Sequence, residues 1–181
     1  MNYITLVSAH YLQRFGEPDR DASFVAPNGT EIQIWKWSTL RSKEDVCIYA
    51  TVGASEVLSS GTRRCEFFVG LQPEADDIVD ALAEVAMHGN GTDEVPSFGD
   101  TLTLAYPLCQ GTDMKTFLFA SRGDEIIPQL TQNRGTVDFI KLIPLFPKEL
   151  EVKQKGGEEE LWSLFRKDFV PYWNPYRKSA L

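Results

Sequence analysis

The chain has 181 residues, 43% of them hydrophobic and 24% charged, with a formal net charge of -8 at pH 7. That length suits one ordinary domain, able to bury roughly two-thirds of the surface its unfolded form exposes, so no covalent staple is required. The negative balance argues against sequence-independent nucleic-acid binding, which needs a basic face to neutralise phosphates.

The N-terminus, Met1-Asn2-Tyr3-Ile4-Thr5, has no basic region leading into an apolar core and cleavage site. No apolar run approaches the ~20 residues of a membrane span, so the expectation is a cytoplasmic protein. Ile4, Val7, Tyr11 and Phe15 recur at helical spacing ahead of Gly16 and Pro18, which predicts an amphipathic helix over 3–15 lying on a sheet. After the turn Pro27-Asn28-Gly29, the segment from Glu31 to Trp37 reads as a strand with Ile32 and Ile34 on one face and Trp35 and Trp37 on the other. The pattern leaves open which face is buried.

Val46, Ile48, Ala50 and Val52 alternate with Cys47, Tyr49 and Thr51, and Cys65, Phe67 and Val69 alternate with Glu66 and Phe68. These are two strands of an expected antiparallel hairpin, joined by a long loop from Gly53 to Gly61. The basic pair Arg63-Arg64 reads as its solvated end. Cys47 and Cys65 could be cross-strand neighbours, yet three cysteines without Cys-x-x-Cys spacing suit reduced thiols. Pro73, the acidic Glu74, Asp76 and Asp77, the stripe Ile78, Leu82 and Val85, and Gly89 predict a second helix with its start and stop.

Residues 89–100 read as a loop, and the sequons Asn28-Gly29-Thr30 and Asn90-Gly91-Thr92 as turns. Leu102, Leu104 and Tyr106, then Phe117 to Phe119, look like short strands, and Val137 to Leu145 like a longer one. Glu149 to Lys155 and Glu158 to Phe165 read as helices separated at Gly156-Gly157. Strands grouped between helices predict an α+β fold: a mixed, largely antiparallel sheet packed with helices as an α/β sandwich. A single domain over 1–181 is expected, with 169–181 an irregular aromatic and proline-rich tail.

Catalytic signals are weak. His10 and His88 are the two histidines, and both sit where helix positions explain them. Gly53-Ala54-Ser55-Glu56-Val57 begins like a nucleophile elbow, but Val57 stands where the motif needs glycine, so Ser55 reads as a loop residue. Gly89-Asn90-Gly91-Thr92 lacks the preceding strand and the lysine of a phosphate loop. Glu158-Glu159-Glu160 reads as a solvated helix start, and Arg122-Gly123-Asp124 as a chance tripeptide. No metal or cofactor is expected.

The aromatic residues are more informative. Exposed aromatic anchors can each contribute ~2 kcal/mol or more to a protein interface, which makes Trp35, Trp37, Tyr172, Trp173 and Tyr176 the candidate partner-binding residues. The prolines in Pro171-Tyr172-Trp173-Asn174-Pro175-Tyr176 forbid a continuous helix. The tail therefore either wraps the domain or presents a docking strip.

Four stretches carry a family resemblance: His10-Tyr11-Leu12-Gln13-Arg14-Phe15-Gly16-Glu17-Pro18, Tyr49-Ala50-Thr51-Val52-Gly53-Ala54-Ser55, Arg64 to Phe68, and Phe139-Ile140-Lys141-Leu142-Ile143-Pro144-Leu145 running into Glu149. In this order and spacing the chain resembles the Suppressor of fused domain in its compact bacterial form. The resemblance implies an α/β sandwich that acts by binding protein. Animal relatives sequester transcription factors of the Hedgehog pathway, and bacterial relatives act as immunity proteins against secreted toxins. Against the animal pattern, neither an additional C-terminal domain nor clamping of a peptide between two domains is expected. The expected function is a non-catalytic module that sequesters or neutralises a partner protein, a toxin among the candidates. An enzyme with an unrecognised small-molecule site and a homo-oligomeric structural subunit are the alternatives.

Overall fold

A computed structural model of the chain describes residues 2–60, 62–88, 95–120, 126–132 and 135–181. Gly61, Gly89, Asn90-Gly91-Thr92 and Arg122-Gly123-Asp124 lie outside the described residues. Nine strands form one sheet: β1 (Arg20–Val25), β2 (Glu31–Trp37), β3 (Cys47–Val52), β4 (Ser59–Ser60), β5 (Arg63–Leu71), β6 (Thr101–Thr103), β7 (Thr116–Ala120), β8 (Leu130–Gln132) and β9 (Gly135–Leu145). The main order is β1-β2-β3-β5-β9-β7-β6, with β4 pairing β5 and β8 pairing β9. Every pairing is antiparallel except β5 with β9. The helices are α1 (Tyr3–Phe15), α2 (Thr39–Ser42), α3 (Ala54–Val57), α4 (Ile78–Met87) and α5 (Pro147–Lys167). The mixed, mostly antiparallel α+β expectation is therefore met.

Both faces of the central strands are apolar, and both are covered. Residues of opposite parity on β2 divide between two cores: Ile32 and Ile34 pack beneath α4 with Phe67 and Phe117, while Trp37 packs beneath α1 with Tyr11, Phe15 and Phe139. The open question of which β2 face is buried thus resolves as both. A third cluster joins Leu118 and Ile143 to Leu161, Phe165 and Val170 of α5 and the segment after it. Ile143 shares parity with Phe139, so α1 and α5 cover neighbouring parts of one face.

α1 has the expected bounds because Asn2 accepts a hydrogen bond from the Thr5 backbone N–H at 3.0 Å and Val7, Tyr11 and Phe15 are buried. α4 begins at Ile78, later than expected. Glu74 and Asp76 are not its first turn; they turn instead to Lys36, with Lys36 to Glu74 at 2.8 Å and a second ion pair to Asp76. Arg20 and the Tyr49 hydroxyl also reach Asp76, at 3.0 and 2.9 Å. A buried lysine at the β2 face outweighs the preference of carboxylates for a helix start. The two expected C-terminal helices adjoin within α5 and break where expected, at a kink on Gly157, whose φ of 83° is non-helical and falls where glycine is tolerated at little cost.

Several local expectations are corrected. Arg63 and Arg64 are not a free solvated end but half-buried and engaged: Arg63 pairs with Asp138 at 2.8 Å, and Arg64 donates to Ser55 O at 2.6 Å while lying over the Tyr3 ring. Cys47 stands opposite Leu71 and Cys65 opposite Asp138, so the two are not neighbours, and all three cysteines are free and buried. Leu104 and Tyr106 fall beyond β6. β1, β4, β8, α2 and α3 are additional elements. Ser55 lies buried on α3, not in an open loop.

Ser55 belongs to a cradle around Glu66, which is wholly buried. The Glu66 carboxylate accepts from Thr51 Oγ1 (2.6 Å), Ser55 Oγ (2.7 Å) and the N–H groups of Gly53, Ala54 and Ser55 (3.0, 3.2 and 3.0 Å). Burial raises its pKa, and the hydrogen bonds from Thr51, Ser55 and Gly53 oppose that rise. Gly53 is required twice over, by a φ of 113° and because a Cβ there would come within 2.5 Å of Glu31 O.

The tail is held by a second buried carboxylate. Glu149 accepts the Phe146 N–H at 3.0 Å at the start of α5 and takes the Arg177 guanidinium in a two-pronged pair at 2.6 and 2.7 Å. It also accepts the Ala180 N–H at 3.0 Å. Arg177 further donates to Pro144 O at 3.0 Å and lies over the rings of Phe146 and Phe165, at 5.0 and 5.4 Å from their centroids. The tail wraps the domain.

Three measurements follow from these contacts. Glu66→Gln points an amide NH2 at donors already in place and is expected to cost about 2 kcal/mol in urea unfolding. Arg177→Met leaves the Glu149 carboxylate buried and uncompensated; an expected loss of about 3 kcal/mol or more should come with new chymotryptic cleavage at Tyr172 and Trp173. For Asp76, burial raises the pKa, but hydrogen bonds from Lys36 and Tyr49 and the charges of Lys36 and Arg20 outweigh it and leave it lowered. Its stabilisation is therefore present above the unfolded value of about 4 and lost as pH falls through the folded value. Between about pH 5 and about pH 3, the wild-type protein should lose more stability than Asp76→Asn, as read by denaturant midpoints.

Candidate functional site

The two covers of the α1/α5 face do not meet, and a cleft of about 370 Å³, its solvent mouth included, lies between them. Val46, Gly70 and Ile126 form one side, Tyr172 and Trp173 the other, and Lys141 and Ile143 of β9 lie at its base. The tail reaches this place because the Gln72 N–H at the end of β5 donates to Trp173 O at 3.0 Å. Tyr172 stands edge-on to Trp173 and Trp162, at 5.2 and 5.5 Å between ring centroids, and stacks with Phe165 at 6.3 Å. The aromatic wall is thus a packed assembly and not a loose strip.

Of the five candidate partner-binding residues, three lie in the tail. Tyr172 is half-buried, while Trp173 and Tyr176 are 41% and 50% exposed. Tyr176 lies farther along, beside Gly111. Trp35 and Trp37 are elsewhere, in the α1 layer, at 5.9 Å from each other. Trp37 is corrected as a binding residue: it has no exposed surface, and its indole N–H donates to Gly16 O at 2.9 Å. It is a core side chain whose area is already used. Trp35 is half-buried and donates to the Gln33 side chain at 2.9 Å.

Two residues of this surface have no counterpart among the sequence candidates. Phe169 is 90% exposed and has a φ of 50°, a left-handed conformation uncommon for a bulky residue; it follows α5, whose last turn carries Arg166 and Lys167. Lys141 is half-buried in the middle of β9, between Phe68 of β5 and Ala120 of β7, with its ammonium 5.2 Å from the Tyr172 ring centroid. A lone charge within Phe139-Ile140-Lys141-Leu142-Ile143 is the signal that marks it. For Phe169 the sequence offers no such signal, since an aromatic residue after a helix is more often core.

The histidines take local roles. His10 Nε2 donates to Pro128 O at 2.8 Å and the ring stacks on Phe139, and His88 caps the C-terminus of α4. Among the described residues no three His, Cys, Asp or Glu side chains gather as a metal-holding group, and no helix is long and apolar enough to cross a membrane.

The sheet order and covers have known counterparts. A Suppressor of fused homologue from Neisseria gonorrhoeae FA 1090 superposes with a TM-score of 0.74 at 19% identity, over 99% of this chain and 97% of that one. The Sufu-Fu complex structure gives 0.73 at 16% identity, over 98% of this chain and 92% of that one. Drosophila Suppressor of Fused gives 0.69 at 16% identity, over 98% of this chain and 50% of that one, so this chain spans about half of the Drosophila chain. Among curated proteins none matches in sequence. At such identities the structural likeness speaks to the fold. The family model of Suppressor of fused protein (SUFU) matches residues 29–178, and with that coverage the chain belongs to the Suppressor of fused family, whose members mediate protein–protein interactions.

Proposed function

We propose that this chain is a non-catalytic protein-binding module of the cytoplasm that sequesters or neutralises a partner, as an immunity protein does with a bacterial toxin. The observation that carries the reading is the set of aromatic side chains left in solvent on a clamped tail: Phe169, Trp173 and Tyr176 are 90%, 41% and 50% exposed. Aromatic anchors concentrate binding energy when they enter desolvated pockets. A tail already fixed by the Glu149–Arg177 pair loses little further freedom on binding. Membership of a protein-binding family supports the same reading, as does the likeness to a chain from the Sufu-Fu complex.

The net charge of -8 favours a basic partner, because complementary fields speed encounter and the apolar anchors then set the dissociation rate. Neutralisation needs no chemistry of its own: covering the partner's working surface is sufficient.

The test is capture by the tagged protein from lysate and culture supernatant of its source organism, with bound proteins identified by mass spectrometry. A stoichiometric partner is expected at moderate salt, with affinity reduced at least ~10-fold by Trp173→Ala and further by Phe169→Ala, each side chain contributing on the order of 2 kcal/mol. Phe169→Ala, at a side chain 90% exposed, should keep the wild-type unfolding midpoint, and Trp173→Ala should remain folded at the capture temperature. Absence of a stoichiometric partner, or full retention by the combined Phe169→Ala, Trp173→Ala and Tyr176→Ala variant, overturns the reading.

A further inference from the structure

The cleft beside Lys141 has a charge character opposite to that of the chain as a whole. Asp and Glu outnumber Lys and Arg by 26 to 18, yet no acidic side chain lines the cleft among the described residues, and its single charged lining group is Lys141. Other half-buried or buried cations have carboxylate partners: Lys36 has Glu74 and Asp76, Arg63 has Asp138, and Arg177 on the tail has Glu149. Arg64, without a carboxylate, donates to Ser55 O. The Lys141 side chain makes no ion pair or hydrogen bond among the described residues; its ammonium lies 5.2 Å from the Tyr172 ring centroid.

A cation held on a central strand is partly desolvated, and a ring quadrupole compensates only part of that loss. A carboxylate arriving there would form a charge-assisted hydrogen bond in surroundings of low dielectric, where such bonds are stronger than at an open surface. The surrounding walls are apolar. Val46, Ile126, Tyr172 and Trp173 line the cleft, and the Val46 side chain packs over Gly70 so closely that a Cβ there would come within 2.7 Å of Val46 Cγ2. At about 370 Å³ with its mouth, the opening suits one side chain of a partner and not a broad surface.

We infer that this cleft receives an aspartate or glutamate side chain of the partner protein, flanked by an apolar residue that packs on Tyr172 and Trp173. The inference rests on the protein-binding reading and assigns its recognition chemistry. It also gives a mainly acidic protein a contact that selects by an opposite rule: overall charge draws a basic partner, while the cleft requires one acidic residue within it. An alternative basic surface without that acid would leave Lys141 buried and unmatched, which is a cost to the wrong complex.

The experiment uses the full chain, 15N-labelled, titrated with the blocked peptides Ac-Leu-Glu-Leu-NH2 and Ac-Leu-Gln-Leu-NH2. The Glu peptide is expected to shift the Trp173 indole N–H and the Lys141 amide and to leave the Trp37 indole unmoved. Its affinity should fall at least ~10-fold in Lys141→Met and in the Gln peptide, the loss of one charge-assisted contact. Equal binding of the two peptides, undiminished binding by Lys141→Met, or no shift at Trp173 overturns the inference. The captured partner supplies the second arm. A partner lost by Trp173→Ala but fully retained by Lys141→Met overturns the acidic-contact inference and leaves the protein-binding reading standing. If the wild-type protein captures no partner, the protein-binding reading itself falls.

Discussion

The central strands β3, β5 and β9 are apolar on both faces, and most of the architecture answers to that constraint. A sheet with one wet face needs one cover; this one needs two. α4 and the segments around β6 and β7 supply the first, burying Phe67, Phe117 and Ile140. The second is assembled from opposite ends of the chain, α1 over Trp37 and Phe139 and α5 with the tail over Leu118 and Ile143. Two separate covers leave a seam, and the cleft between Val46 and Trp173 is that seam.

Closing the second cover depends on ordering thirteen residues with little regular structure, 169–181. Backbone ordering costs roughly 1–2 kcal/mol per residue, and side chains as exposed as Phe169 and Trp173 return little of it by burial. The buried Glu149–Arg177 pair supplies what those contacts cannot: Glu149 caps α5 and holds both Arg177 and the Ala180 N–H. Because each partner is useless to the other's burial once one is removed, the clamp is all-or-none. A tail fixed in this way can leave aromatic side chains in water without itself becoming loose.

Much of this was legible in the sequence where one periodicity ruled. α1 follows from Val7, Tyr11 and Phe15 with a stop at Gly16, and β9 from its largely apolar run over Val137 to Leu145. Legibility failed where a distant partner overrode a local preference. Glu74 and Asp76 read as the first turn of a helix, but Lys36, forty residues from Asp76, claims them. Trp37 read as an open choice because β2 carries Ile32 and Ile34 on one face and Trp35 and Trp37 on the other, so large apolar side chains stand on both. The candidate site was half visible: the aromatic content of the tail marks Tyr172, Trp173 and Tyr176, whereas the clamp residue Arg177 and the cleft residue Lys141 gain meaning only from what lies across from them.

The family signature and the candidate binding surface occupy largely different residues. Tyr49–Ser55 and Arg64–Phe68, two of the stretches that carry the resemblance, meet in space at Glu66, which collects donors from Thr51, Gly53, Ala54 and Ser55. A buried carboxylate of this kind tolerates few replacements, since each donor around it would be stranded. Phe169, Trp173 and Tyr176 lie outside the four stretches, and Lys141 lies inside one but points to the cleft and not to the cradle's partners. On the proposed reading, scaffold and recognition are separable: substitutions around Glu66 act on the buried cradle, and substitutions along the seam leave that cradle's hydrogen bonds untouched.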